Sequence, residues 1–75
     1  MDWRDYIHRD PEILAGKPVF KGTRLSVQII LECLAAGWEP EKIFHEFPLT
    51  RPEHLRAAQA YAAEVMDLTK FVSAD

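Results

Sequence analysis

Two prolines, Pro48 and Pro52, stand four residues apart and dictate where helices can run in the second half of the chain. Proline lacks an amide hydrogen and pushes the residue before it out of helical geometry, so a helix must end by Phe47. In the first turn of a helix proline does no harm, so Pro52 marks a beginning. Thr50 and Glu53 have the spacing of a capping box there, with Leu49 just ahead. Leu55, Ala58, Ala62 and Val65 then recur on one face, which predicts a helix over residues 51 to about 66. Its opposite side shows Glu53, Arg56, Ala57, Ala60, Ala63 and Glu64. Upstream, Pro40 suits the first position of a short helix whose apolar side is Ile43, Phe44 and Phe47. Glu39 takes the N-cap of that helix, where a shorter oxygen-bearing side chain does better.

A third helix precedes these two. Ser26 is its expected N-cap, with Leu25 and Ile30 at hydrophobic-staple spacing. Val27, Ile30, Leu31 and Leu34 mark its buried face, and Gly37 closes it. The front, residues 1–25, reads as two short strands and irregular loop. Trp3 to His8 and Val19-Phe20 supply β-favouring side chains, and Asp10-Pro11, Ala15 to Pro18 and Lys21 to Thr23 supply turns. Residues 67–75 read as a frayed tail, although Leu68, Phe71 and Val72 are apolar. The expected fold class is mainly α, as a single domain over 1–75, with short N-terminal strands followed by a three-helix unit over 26–66. The four residues Phe47 to Thr50 between two helices give the outline of a helix-turn-helix, and equally of a plain three-helix packing unit.

Charge is spread unevenly. Residues 1–26 carry five basic and four acidic side chains, residues 27–50 one and four, and residues 51–75 three and four, which sum to the net −3. Any basic surface must therefore come from the front plus Arg51 and Arg56. Arg56 suits a guanine edge, and Arg51 a phosphate or a base. The alternative is that both are solvated charges with Glu53 beside them. Lys17 and Lys21 in the front loop are further candidates for phosphate contact. Arg24 is expected to use its planar fork in a structural hydrogen bond.

Several classes drop out. Cys33 is the one cysteine, so no internal disulfide framework exists and a reducing, cytoplasmic setting is expected. No signal peptide is expected at the charged start, and no run approaches the ~20 apolar residues of a membrane span. His8, His45, His54 and Cys33 match no zinc spacing, and no nucleophile stands in a catalytic motif, so no metal, cofactor or enzymatic activity is expected. Hydrophobic residues make up 48% of the chain, more than a small monomer covers with ease. Trp3, Tyr6 and Ile7 must either fold back on the helices or pair with a second chain. Ile29 lies off the buried stripe of its helix. With Leu68 and Phe71, these residues are the expected contacts of a homodimer or another protein.

The strings DPEILAGKPVFKGTRLSVQIILECLAAGWEPEKIF and FPLTRPEHLRAAQAYAA resemble domain-of-unknown-function family 433. The elements that carry the likeness are Gly16, Pro18, Gly22, Thr23 and Arg24. The resemblance implies a winged or homeodomain-like helix-turn-helix. It also implies an antitoxin of the VapB type, which would bind a PIN-like ribonuclease toxin and operator DNA. The alternative is a homodimeric protein–protein interaction module without DNA binding. The family often has Gly-Gly where this chain has Ala15-Gly16, so any demand for positive φ is expected to fall on Gly16.

Overall fold

The computed structural model describes residues 1–69 of the chain. It is mainly helical, with a short two-stranded antiparallel sheet at the front. The strands are β1 (Ile7–His8) and β2 (Val19–Phe20). The helices are α1 (Val27–Ala35), α2 (Pro40–Glu46) and α3 (Pro52–Thr69).

The sheet is small but fully used. Ile7 pairs with Phe20 and His8 with Val19. On the other edge of β2, the Phe20 amide donates to the Leu25 carbonyl at 3.1 Å and the Val27 amide donates to the Pro18 carbonyl at 3.0 Å. Val19 and Phe20 are thus held from both sides, and both are buried. The strand turns out through Lys21 and Gly22. There the Thr23 amide and hydroxyl both donate to the Phe20 carbonyl, at 3.1 and 2.8 Å. Gly22 has φ +80, as the third residue of a type II turn requires.

α1 begins where its cap predicts, with Ser26 Oγ accepting from the Ile29 amide at 3.1 Å. It ends in a Schellman pair: the Trp38 amide donates to the Cys33 carbonyl and the Gly37 amide to the Leu34 carbonyl, both at 3.0 Å. Val27, Ile30 and Cys33 form its most buried face, with Leu31 and Leu34 half-buried against the same core. α2 carries Pro40 at its start, and Glu39 makes no side-chain cap bond.

Five expectations about the fold need correction. Residues 3–5 form a 3-10 turn rather than strand, because Asp2 Oδ1 accepts from the Arg4 amide at 3.0 Å and winds the chain there. The cap of α3 lies one residue later than the capping box at Thr50. The Thr50 hydroxyl donates back to the Phe47 carbonyl at 2.6 Å, and His54 Nδ1 accepts from the Arg51 amide at 2.9 Å, the task expected of Glu53. The buried face of α3 is also rotated. Ala57 is fully buried and Val65 is exposed, because Trp3 and Tyr6 cover the side of the helix that carries His54, Ala57 and Tyr61. The helix runs on to Thr69, so Asp67 and Leu68 belong to it, while Phe71 and Val72 lie outside the described residues.

The last correction concerns the front loop. Positive φ falls on Leu14 (+48), Ala15 (+56) and Gly16 (+83) together, not on Gly16 alone. Two hydrogen bonds hold this left-handed turn, from the Gly16 amide to the Ile13 carbonyl at 3.0 Å and from the Lys17 amide to the Leu14 carbonyl at 3.2 Å. An L side chain in that region costs about 1–2 kcal/mol.

Ala15→Gly is therefore expected to stabilise the protein by about 1 kcal/mol. Gly16→Ala should cost a similar amount, although an added Cβ would meet only the Pro11 Cα at 3.9 Å. Thermal melts of the two variants should move in opposite directions. Replacing the idle cap of α2 in Glu39→Ser should raise stability on the order of 0.5 kcal/mol. An unchanged melting midpoint would remove the cap from the account of α2.

Candidate nucleic-acid interface

The basic side chains of the described residues fall into two groups. In the first, each is occupied by a neighbour. Arg4 bonds Asp2 and Glu64 and lies over the Trp3 ring at 4.4 Å. Arg9 donates to the Tyr61 hydroxyl at 3.1 Å, and the Lys42 ammonium sits 4.1 Å from the Trp38 ring centre. In the second group are Lys17, Lys21, Arg24, Arg51 and Arg56. These side chains are exposed and have no ion pair or hydrogen bond among the described residues.

Arg24 is thus not the structural fork expected of it. The turn that Thr23 closes is complete without it: the Leu25 amide donates to Thr23 Oγ1 at 3.0 Å, and Thr23 donates to Phe20. Arg24 stands instead on a ridge with Leu49, and both side chains line two adjoining clefts. One cleft is walled by Leu25, Phe47 and Pro48, the other by His8, Ile13 and Gly22. The loop between β2 and α1 thereby lies against the α2–α3 connection. Lys21, Arg24 and Arg51 come from these two segments. Lys17 is grouped elsewhere, in a cleft with Leu14, Ile29 and Glu32.

The outer face of α3 is set by Pro52, Arg56, Gln59 and Ala63, all exposed and spaced i, i+4, i+7, i+11. Arg56 and Gln59 are its polar members, one turn apart. Reading α3 as a helix with a single buried stripe hid Gln59. Its i+3 spacing from Arg56 was the available signal. Ala57, once placed on the open side, is buried, and Ala60 is half-buried. Gly16, Pro18, Gly22 and Thr23 shape the loops, with Thr23 making the bonds that close the β2 turn.

Trp3, Tyr6 and Ile7 take the first of their two expected courses and fold back on the chain. Ile7 is buried in the core, Trp3 meets Tyr61 edge-on with ring centres 4.8 Å apart, and Tyr6 meets His54 at 5.9 Å. Ile29 remains 41% exposed. Among the described residues no group of three or more histidine, cysteine or carboxylate side chains could hold a metal, and no helix is long and apolar enough to cross a membrane.

His54 fixes where α3 begins. Its ring packs edge-on against Phe20 with centres 5.0 Å apart, and its Nδ1 must be unprotonated to accept the Arg51 amide. Burial holds its pKa below the ordinary histidine value, and the nearby Arg51 charge adds to this against the opposing pull of Glu53. The folded state therefore binds a proton here more weakly than the unfolded chain does. This stability is fully present above the unfolded value of about 6.5 and is lost as pH falls through the depressed folded value. His54→Gln keeps an acceptor at the same helical position without titrating. Unfolding midpoints measured from pH 7.5 down to pH 5 should fall further for the wild type than for His54→Gln. Parallel curves would show that His54 does not carry the effect.

The model of the family described as protein of unknown function (DUF433) matches residues 7–62. The uncharacterised protein y4eO of Sinorhizobium fredii (strain NBRC 101917 / NGR234) is 36% identical over 59 residues, which cover 79% of this chain and 27% of that protein. The chain thus spans about a quarter of that relative's length. No solved structure matches. With three quarters of its length inside the matched span and the Gly16-Lys17-Pro18 and Gly22-Thr23-Arg24 elements within it, the chain belongs to the DUF433 family.

Proposed function

We propose that the chain is a helix-turn-helix DNA-binding regulator of the antitoxin kind, with α2 and α3 as the helix pair and α3 as the reader. The observation that carries this is the sorting of the cations. Those tied to neighbours sit against aromatic rings or α3, while Lys21, Arg24, Arg51 and Arg56 are left to solvent, Arg51 and Arg56 at the start of α3 and Arg24 beside the α2–α3 connection. Arg56 suits guanine and Gln59 suits adenine, each by a two-pronged hydrogen bond in the major groove. α2 presents Glu39, Glu41 and Glu46 to solvent, so it repels a phosphate backbone. Phosphate contacts then fall to the β2–α1 loop, through Lys21 and Arg24.

The family resemblance adds the rest: a PIN-like ribonuclease toxin as protein partner, repression of the shared operon, and a cytoplasmic setting. So few cations per chain give modest affinity, so two copies acting on a palindromic site belong to the same reading. The second reading is a protein–protein interaction module without DNA binding. It is favoured by the net charge of −3 and by the exposed Leu14, Ile29 and Leu49.

Titration of the DNA upstream of the gene, at several salt concentrations and with or without the toxin, separates the two. Arg56→Ala and Gln59→Ala should each cost roughly 1–3 kcal/mol and relax base preference. Lys21→Ala and Arg24→Ala should weaken binding to every sequence alike and flatten the salt slope by about one unit per phosphate contact. If no sequence is preferred even with the toxin present, the interaction module stands in its place.

A further inference from the structure

The side of α1 that turns away from the core carries Gln28, Ile29 and Glu32, all exposed. The left-handed turn sets Leu14 beside them, itself 39% exposed, and Leu14, Lys17, Ile29 and Glu32 line one shallow cleft. A second cleft shares Gln28 and Glu32 with the first and is walled by Pro18, Leu31, Ala35 and Tyr61. Apolar surface therefore continues along α1.

Leu14 is an odd occupant of its position. A leucine at φ +48 is strained, and here the strained residue also stays partly open to water. Glycine or asparagine would make the turn at lower cost. The core cluster does not include Leu14, which leaves the cleft it lines with Ile29 as the place where the strained residue is used.

We propose that this face pairs two copies of the chain about a twofold axis. Leu14 and Ile29 of each copy pack across the axis, and Lys17 of each meets Glu32 of the other. The charges argue for a second copy as the occupant. The cleft holds one cation, Lys17, with no ion pair among the described residues, and one carboxylate, Glu32, held only by Gln28 of its own helix at 3.1 Å. A patch with equal and opposite charges around an apolar centre is complementary to itself. One twofold axis forms both bridges at once. A patch of one sign would instead call for a different partner. The inference rests on the pairing of copies in the reading above; of the expected contacts it keeps Ile29 and leaves out Trp3, Tyr6 and Ile7, which fold back on the chain.

Sedimentation at micromolar concentration tests it. The wild type should run at twice the 8.6 kDa chain mass. Ile29→Glu should run as a monomer with an unchanged circular dichroism spectrum, since the side chain is exposed. Lys17→Glu should weaken pairing roughly fivefold, and Lys17→Glu combined with Glu32→Lys should restore it. Arg56→Ala should leave the mass unchanged, which keeps DNA reading separate from pairing. A wild-type monomer throughout the micromolar range overturns both the pairing and this face. A dimer that Ile29→Glu leaves intact overturns this face alone. A monomer that binds the toxin through Ile29 assigns the face to that protein and overturns the proposal.

Discussion

The strand Val19-Phe20 is the part on which the remaining elements depend. Its backbone is bonded to β1 on one edge and to the Leu25–Val27 segment on the other, so a two-residue strand behaves as the centre of a sheet. Neither side chain has meaningful exposure. Phe20 then reaches His54 and ties the front of the chain to the first turn of α3. In so short a chain, core volume is scarce. One aromatic side chain that touches sheet and helices together fixes their mutual placement in a way that separate pairwise contacts would not.

What was legible in the sequence was punctuation. Ser26, Gly37, Pro40 and Pro48 each act within one turn of the helix they bound, so local chemistry decides the outcome. Thr50 shows the limit of that approach. Its hydroxyl had two acceptable uses, and the choice of Phe47 over the helix depended on how the α2–α3 connection folds. The buried stripe of α3 was misread for a longer-range reason. A period of 3.6 finds one apolar side, but Trp3 and Tyr6 come from the far end of the chain and cover a second. Alanine fits either setting, so Ala57 gave no warning.

The candidate site divides along the same line. That Arg51 and Arg56 lie near the start of α3 follows from helix boundaries and could be read directly. That Arg24 is free could not, because its surroundings depend on how the β2–α1 loop lies against the α2–α3 connection. Lys17 and Lys21 looked alike in a glycine-punctuated loop, yet the left-handed turn carries Lys17 toward α1. Backbone conformation, not residue type, separates their surroundings.

A side-chain clasp couples the front of the chain to the later turns of α3. Trp3 Nε1 donates to Glu64 Oε1 at 3.2 Å across a sequence separation of 61 residues, and Arg4 joins the same carboxylate. The front of the chain and the later turns of α3 are therefore tied to one another by side chains. Loosening either partner frees the other, so the front of the chain and this part of α3 open together rather than separately.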